Sequence, residues 1–285
     1  QLINASVLGK VFEKINGYRD GSIFTPAFIT MYMCRQSIRL AVVEKFNTVL
    51  SSKDEKLFDK FEDIKNYTSR HFKTDDVLKA NEIVNSLHIC DPAVGSGHFL
   101  VSALNEIIVI KAELGILADE KGNNLNGYEI EIVNDELIIT DQQGNPVEYK
   151  LQSGKPLSKE VQRLQRTLFL QKQTIIENCL FGVDINPKSV LICRLRLWIE
   201  LLKNAYYKET EYTELETLPN IDINIKCGNS LLSRFELNDD VFKSIPNFKK
   251  KLSDYKFWVN EYKNAKDRNL KKQLTENIKV FVDEF

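Results

Sequence analysis

Three short apolar runs, each leading into a polar loop, form the main pattern along the chain. They lie at residues 87–91, 179–184 and 221–225, and the first two end in an aspartate. After the first loop, apolar residues recur at helical spacing over 99–108. A strand, a Gly-containing loop and a helix make the opening half of a βαβ unit, so the pattern predicts an α/β fold with a parallel sheet.

Helical spacing dominates residues 1–86, which we predict to form a helical segment. Apolar positions over 7–15 give a first helix. We expect Thr25 to cap a second helix with Pro26 at its first helical position. A third, charged helix is predicted over about 54–70.

Residues 115–178 have the pattern of an insertion between the first two strands. An alternating run, a turn at Asn134 and Asp135, and a returning run predict a two-residue hairpin. A further strand at 147–151 would complete a small antiparallel meander. A helix over 158–178 then leads into the second strand.

Two more helical regions follow the second strand. Asn186 is expected to cap a helix with Pro187 at its first position. The charged, amphipathic remainder predicts two helices. We therefore divide the chain into an N-terminal helical segment (1–86), an α/β domain (87–236) that carries the insertion, and a helical tail (237–285).

The charge balance limits the classes of partner. The 285 residues have a formal net charge of −1, so any nucleic-acid surface must be local. No apolar run approaches the ~20 residues of a membrane span. From Lys243 onward the chain has 11 basic and 6 acidic residues, with aromatic residues among them. A DNA-facing pair of helices and an ordinary solvated helical face both fit that stretch.

Five cysteines are scattered along the chain: Cys34, Cys90, Cys179, Cys193 and Cys227. Their odd number and the absence of a CxxC pair argue against a disulfide scaffold and against a metal site of the zinc type. A reducing cytoplasm is the compartment that this pattern favours. We expect the Cys227 thiol, which follows the third strand, to be buried rather than nucleophilic. Because the chain begins with glutamine and shows no signal peptide, we expect it to be part of a longer polypeptide.

Polar groups stand where the three predicted strands end: Asp91, Asp184 and the Gly228-Asn229 pair. Ligands of an open parallel sheet bind beyond the carboxyl ends of its strands. A Gly-rich loop lets a ligand approach the backbone, an acid accepts ribose hydroxyls, and an amide pairs with a purine edge. The residues therefore predict a site for a nucleoside-containing cofactor.

The Gly loop lacks the features of a pyrophosphate site. Leu100 stands where the NAD fingerprint needs its third glycine, and His98 follows Gly97 where a P-loop needs lysine. Asp91 would repel a phosphate but could hold an ammonium group. S-adenosylmethionine has an ammonium group, a ribose and an adenine but no phosphate, so it fits better. We expect His98 to be a helix-start residue rather than a catalytic one.

Four strings of the sequence resemble motifs of the N6-adenine DNA methyltransferases, in the family's order X, I, II, III. They are Phe24-Thr25-Pro26 for motif X, Asp91-Pro92-Ala93-Val94-Gly95-Ser96-Gly97-His98-Phe99-Leu100 for motif I, Gly182-Val183-Asp184-Ile185-Asn186-Pro187 for motif II and Gly228-Asn229-Ser230-Leu231-Leu232 for motif III. The resemblance covers about 24–232 and is closest to the modification part of type IIG and type IIS restriction–modification enzymes and to type I modification subunits. It implies the first half of a Rossmann-like class I methyltransferase sheet.

The resemblance implies S-adenosylmethionine as the cofactor and a place for its methionine end. Thr25 and Pro26 would lie near the carboxylate of the cofactor, and Asp91 near its amino group. Gly95 and Gly97 would allow close backbone approach.

For the nucleoside end, the resemblance places Asp184 on the ribose hydroxyls and Asn229 on the adenine edge. Some relatives have Asp at the position of Asn229, although either side chain can accept from the adenine amine. The full cofactor set that the resemblance implies is Thr25, Pro26, Asp91, Pro92, Ala93, Gly95, Gly97, Phe99, Asp184, Ile185 and Asn229.

The family's catalytic loop, Asn/Asp-Pro-Pro-Tyr/Phe, has no counterpart here, since the sequence contains no Pro-Pro pair. That loop grips the adenine that is flipped out of the DNA duplex. The resemblance therefore covers the cofactor half and not the catalytic half, and we expect the chain alone not to methylate DNA. Glu148-Tyr149-Lys150 matches a nuclease E-x-K only superficially, because no Pro-Asp precedes it.

Taken together, the sequence predicts the S-adenosylmethionine-binding portion of a cytoplasmic DNA adenine-N6 methyltransferase of a restriction–modification system. Double-stranded DNA would be the partner of the longer protein. A methyltransferase acting on RNA or protein would share motif I, and a non-catalytic nucleotide-binding module is the remaining alternative. By resemblance, the strands take the order 3-2-1 with residues 87–91 at one edge. That open edge predicts either self-association or a tail folded over it.

Overall fold

The computed structural model describes most of the chain in separate ranges. They are residues 11, 14, 25–51, 57–71, 73–125, 127–147, 158–207, 215–216, 218–232, 246–265 and 267–284. Apart from residues 11 and 14, the predicted helix over 7–15 lies outside the described residues. Phe24, the Glu148-Tyr149-Lys150 string and the last strand of the meander beyond Val147 also lie outside them.

A three-stranded parallel sheet forms the middle of the fold. Its strands are β1 (Ile89–Asp91), β4 (Leu180–Asp184) and β5 (Ile225–Cys227), in the order β1-β4-β5. Cys90 of β1 pairs with Phe181 of β4. The mixed α/β class, the parallel direction and the position of β1 at one edge agree with the prediction.

The third strand begins later than predicted, because residues 221–224 form a turn. The side-chain amide of Asn224 donates to the carbonyl oxygens of Ile176 and Leu180 at 2.9 and 3.0 Å. These bonds hold a polar, buried side chain against the end of the helix Lys159–Asn178 and the start of β4. The strand itself starts at Ile225, directly after this fixed residue.

The insertion contains the predicted hairpin, formed by β2 (Tyr128–Val133) and β3 (Glu136–Asp141). Its two turn residues, Asn134 and Asp135, have φ angles of 52° and 67°. A left-handed backbone at both positions defines the type I′ turn, which favours Asn and Asp. Asp135 is only 4% exposed, so the tip of the hairpin enters the body of the protein.

Eight helices lie within the described ranges. In chain order they are α1 (Ala27–Leu50), α2 (Phe61–His71), α3 (Thr74–Asn85), α4 (His98–Glu113), α5 (Lys159–Asn178), α6 (Pro187–Leu202), α7 (Phe248–Asn264) and α8 (Arg268–Glu284). None of these helices is both long and apolar enough to cross a membrane.

The predicted start of α1 is wrong by one residue. Pro26 occupies the N-cap with an extended ψ of 142°, and helix α1 begins at Ala27. Thr25 lies before the cap and does not close the helix. Proline still suits the position because its φ of −57° lies in its preferred range and its carbonyl accepts the N–H of Ile29 at 3.0 Å.

The helix predicted over 54–70 begins only at Phe61, and a separate helix, α3, follows it. The boundary lies at Lys73, whose backbone is extended (φ −92°, ψ 174°). The carboxylate of Asp76 accepts the N–H of Lys73 at 3.0 Å, as in a capping box. By contrast, the predicted cap Asn186 is confirmed, since its side chain accepts the N–H of Lys188. Ser158 caps the helix predicted over 158–178 in the same way, by accepting the N–H of Val161.

Helix α4 is the centre of the core, and every residue over 100–111 is buried. Helix α1 packs along it through Thr30, Cys34, Ile38, Val42 and Phe46, which recur every four residues. Helices α3, α5 and α6 contact α4 from other sides, and α4 also contacts β1 and β4. The loop between β1 and α4 is therefore held on a rigid, buried helix.

The tail forms two helices, as predicted, and they pack around Tyr262, Leu274 and Ile278. The side chain of Asn220 donates to the carbonyl of Tyr262 at 2.8 Å, and the Tyr262 hydroxyl donates to Asp222 at 3.1 Å. The tail therefore docks beside the start of β5, at the edge of the sheet opposite β1. The described part of the tail, 246–265 and 267–284, therefore does not provide the predicted cover of β1, and self-association stays a prediction.

Candidate functional site

The carboxylate of Asp184, at the end of β4, connects the loops that follow the three parallel strands. One carboxylate oxygen accepts the N–H of Gly95 at 2.8 Å, and the other accepts the N–H of Asn186 at 2.8 Å. The backbone oxygen of Asp184 accepts the N–H of Gly228 at 2.9 Å. Motifs that lie far apart in sequence therefore meet at the carboxyl ends of the three strands, which we call the cofactor edge of the sheet.

The loop after β1 is a tight turn that is fixed to β4. The N–H of Val94 donates to the carbonyl of Val183 at 2.9 Å, and the N–H of Gly97 donates to the carbonyl of Val94 at 2.8 Å. Gly95 and Gly97 have φ angles of 53° and 81°, in the left-handed region that glycine enters without strain. The glycines are thus required by the backbone itself, and they leave two positions of the loop without a Cβ atom.

Asp91 ends β1 with a carboxylate that has few compensating partners among the contacts described. It accepts the N–H of Ala93 at 3.0 Å. Burial raises the pKa of the Asp91 carboxyl above its ordinary value; the bond from Ala93 opposes this rise, and the negative charge of Asp184 adds to it. A ligand cation placed there would relieve the repulsion, so the position suits an ammonium group.

The start of α1 lies beside the start of α4. Thr30 hydrogen-bonds Ser102 with 3.0 Å between their hydroxyl oxygens, and the Cys34 thiol donates to the carbonyl of Phe99 at 3.7 Å. Thr25 is half-buried and Pro26 is exposed, just ahead of this contact. The structure thus brings motif X to the helix that carries motif I.

Several of the other predicted cofactor residues are exposed to solvent at the cofactor edge. Ile185 follows Asp184 and is 72% exposed, which is unusual for a large apolar side chain next to a strand end. Asn229 is exposed, and its side-chain oxygen accepts the N–H of Leu231 at 3.0 Å. Pro92 and Ala93 are exposed. The site is therefore open, with an apolar side chain beside two carboxylates.

A layer of buried polar side chains lies under the Gly loop, and sequence reasoning missed it. Arg196 of α6 is fully buried and donates to both the carbonyl and the hydroxyl of Ser96 at 3.1 Å. Its second terminal nitrogen, Nη2, lies 3.4 Å from Nδ1 of His98. That same Nδ1 lies 3.5 Å from the carboxylate of Asp135. His98 is the first residue of α4, as predicted. The sequence signal for the layer was an arginine within an apolar helical run.

The thiols fall into two groups. Burial raises the pKa of Cys34 to about 12, of Cys179 to about 11 and of Cys193 to about 12. Cys90 in β1 and Cys227 at the end of β5 are exposed. The prediction that Cys227 is buried is therefore wrong, because this strand lies at the edge of the sheet and its end is uncovered.

Comparison with known proteins gives one family and one curated relative. The sequence profile of the family described as "MmeI, DNA-methyltransferase domain" matches residues 67–241, which include motifs I, II and III. The chain is 30% identical over 248 residues to a protein of Methanocaldococcus jannaschii named "Putative type II restriction enzyme and methyltransferase". The alignment covers 83% of the chain but 17% of that relative. No solved structure gives a significant match.

Proposed function

The chain belongs to the MmeI DNA-methyltransferase domain family, and from that premise we propose that the edge formed by β1, β4 and β5 binds S-adenosylmethionine. The observation that carries the proposal is the pair of bonds from Gly95 and Asn186 to Asp184. They bring the Gly loop, the strand-end acid and the following helix to one point. Those are the parts that a nucleoside cofactor without phosphates requires.

Each part of the cofactor has a chemically matched group at this edge. Asp91 is a half-buried carboxylate for the ammonium, and the left-handed Gly95 would allow the methionine chain to approach the backbone. Asp184 retains unused lone pairs after accepting two amides, and these can accept ribose hydroxyls. Ile185 and Asn229 would lie along the adenine ring and its edge, respectively.

We further propose that the parent protein methylates N6 of adenine in double-stranded DNA as part of a restriction–modification system. The motif I string supports the adenine assignment, and the name of the M. jannaschii relative supports the system. The chain spans 17% of the length of that relative. Catalysis and target recognition are therefore assigned to the whole protein, and we propose that these residues supply its cofactor site. The five free thiols fit the reducing cytoplasm that we propose as its location.

In this arrangement the chain's own residues would position the reacting methyl group rather than activate it chemically. The methyl donor supplies an activated methyl that adenine N6 attacks in line. Asp184 and the loop that it anchors would fix the nucleoside, and Asp91 would fix the amino acid end. Fixing both ends orients the donor, and such orientation lowers the entropic part of the barrier.

Ile185 gives a clean test, because its side chain is 72% exposed and contributes little to packing. Ile185→Ala should weaken binding of S-adenosylhomocysteine about tenfold, as expected for lost contact with an aromatic ligand. Isothermal calorimetry measures the affinity, and thermal unfolding should remain unchanged. Leu191→Ala is the matched control, since Leu191 is an apolar residue of α6 that is 61% exposed.

Two results would contradict the proposal. One is no detectable binding of S-adenosylhomocysteine or S-adenosylmethionine by the wild-type chain. The other is equal affinity in the Ile185→Ala, Leu191→Ala and wild-type proteins, which would place the nucleoside elsewhere.

A further inference from the structure

The tip of the inserted hairpin lies in the polar layer beneath the Gly loop. Ser102 donates to one carboxylate oxygen of Asp135 at 2.9 Å, and the side chain of Asn105 donates to the Asp135 backbone carbonyl at 3.0 Å. The other carboxylate oxygen lies 3.5 Å from Nδ1 of His98. The hairpin is thus fixed to the first turns of α4, the helix that begins directly after the loop.

Arg196 connects this tip to the loop itself. Its guanidinium holds the carbonyl and the hydroxyl of Ser96, which stands between the two left-handed glycines. Arginine keeps its charge at every accessible pH, and Arg196 has no exposed surface. A buried cation needs an opposite charge nearby, because losing its water costs several kcal/mol. The Asp135 carboxylate, whose pKa responds to the charge of Arg196, supplies one.

The backbone at the tip of the hairpin is left-handed where it places the Asp135 carboxylate. Asp135 is a non-glycine residue with a φ of 67°, a conformation that the type I′ turn requires at this position. Exposed hairpin turns commonly carry Asp or Asn for this reason alone. Here the side chain is buried against α4 and α6 instead of facing solvent. Turn geometry alone does not account for this burial.

We infer that Asp135 is a positioning residue for the cofactor loop, acting through His98 and Arg196 on the backbone at Ser96. The inference rests on the proposed function for its consequence on cofactor binding, but the effect on the loop can be measured without ligand. When Asp135 carries its charge, Arg196 stays fixed on Ser96, and the loop keeps the shape in which Gly95 bonds to Asp184. When that charge is lost, the loop loosens and the cofactor binds more weakly.

Charged groups on every element packed against the tip affect this carboxylate. Burial raises the pKa of Asp135 to about 6; Ser102, Arg196 and Lys203 oppose the rise and Glu200 adds to it. From α1, the Cys34 thiol also lies within electrostatic range of the carboxylate. His98 is the remaining titratable partner from α4. The coupling between tip and loop should therefore weaken as pH falls from 7.5 to 5.

The test uses Asp135→Asn, which keeps the size of the side chain and the preference for a left-handed turn but removes the charge. Hydrogen exchange of the loop amides over 94–98 is measured on the free protein at pH 7.5 and pH 5. At pH 7.5 we expect about tenfold faster exchange in the variant and about tenfold weaker binding of S-adenosylhomocysteine. Both differences should shrink at pH 5, where wild-type Asp135 is also neutral.

Glu131→Gln is the matched control, because Glu131 is an exposed acid on β2 of the same hairpin. It should leave exchange and affinity unchanged at both pH values. Ser96→Ala provides a second test if Asp135→Asn does not fold. It removes one acceptor of Arg196, so the loop should again exchange faster, now with the pH dependence of the wild type retained.

The outcomes separate this inference from the proposed function. Equal loop exchange in Asp135→Asn and wild type at pH 7.5, or a difference that does not change with pH, overturns the inference. If the wild-type chain binds no S-adenosylhomocysteine, the proposed function fails, and the exchange data alone decide whether Asp135 positions the loop.

Discussion

Cys193 of α6 occupies the space that a side chain at Gly97 would need. A Cβ atom added to Gly97 would lie 2.6 Å from the Cys193 sulfur, and the φ of Gly97 is +81°. Motif I is therefore fixed from two directions, by the backbone conformation of its second glycine and by the packing of α6 against it. Helix α6 is the helix that follows motif II, so the two motifs also depend on each other through the core.

Gly97→Ala should lower the free energy of unfolding by roughly 2–4 kcal/mol, because it adds backbone strain to a steric clash. Urea unfolding measures the change. Gly115→Ala is the control, since Gly115 has a φ of +65° but nothing within 4 Å of its added Cβ. That control should lose only about 1 kcal/mol. Equal losses in the two variants would show that Cys193 does not restrict the position.

Asp184→Ala should reduce both stability and cofactor affinity, because the side chain holds two loop amides in the free protein. Leaving those amides without an acceptor costs roughly 1–3 kcal/mol in the free energy of unfolding. Asp141→Ala is matched to it, since Asp141 accepts the amides of Gln143 and Asn145 at the far end of the hairpin. Thermal unfolding should show loss in both variants, whereas calorimetry should show weaker binding in Asp184→Ala alone.

The buried Lys111 should make the free energy of unfolding increase with pH above neutrality. It is fully buried, with its ammonium bonded to Asn85 at 2.7 Å and to Gln171 at 2.6 Å, and burial lowers its pKa to about 7. Between pH 7 and 10 the unfolded chain therefore binds the proton that the folded chain lacks. Stability should rise with pH in this window by roughly 1.4 kcal/mol per pH unit, relative to a variant without the lysine.

Lys111→Met removes that dependence. The difference in the free energy of unfolding between variant and wild type should favour the variant more at pH 7 than at pH 9. Lys79→Met, at an exposed position of α3, serves as the control and should change little with pH. A constant difference between Lys111→Met and wild type across this range would mean that Lys111 is charged in the folded protein throughout.

The chain alone should not transfer a methyl group to adenine. Its sequence contains no Pro-Pro pair, and therefore no loop of the Asn-Pro-Pro-Tyr type to grip the flipped base. Incubation with tritiated S-adenosylmethionine and double-stranded DNA should leave the DNA unlabelled. Labelled N6-methyladenine in the digested DNA would show that catalytic groups lie among these residues.

The sequence predicted those parts of the site that are formed by local chemistry. The loop at Gly95 and Gly97 follows from backbone requirements, and the turn at Asn134 and Asp135 follows from the left-handed preference of these residues. The cap at Asn186 follows from a side chain that reaches the first turn of its own helix. Each depends on neighbours within a few residues, which a single sequence displays.

The parts that the sequence did not predict depend on contacts between distant residues. Asp135 looked like an ordinary turn residue, and its burial follows only from how the hairpin docks on α4. Arg196 lies within an apolar helical run, and its partner Ser96 is 100 residues away. The late start of β5 likewise depends on Asn224 reaching carbonyls of another element. Long-range burial of polar groups leaves no periodic signal in a single sequence.

The division of the thiols into buried and exposed groups has a practical use in spectroscopy. Cys90 and Cys227 are the exposed pair, on the two outer strands with β4 between them. Cys90 pairs with Phe181 and Cys227 with Asp184, so the two cysteines are also offset by three residues along the strands. Two strand spacings and this offset give a Cα–Cα separation of roughly 14 Å, a distance over which a pair of nitroxides interact through their magnetic dipoles. The buried thiols, being protonated and shielded, should remain unlabelled. The distance between labels on these two thiols can thus be measured in the wild-type protein, without first replacing any cysteine.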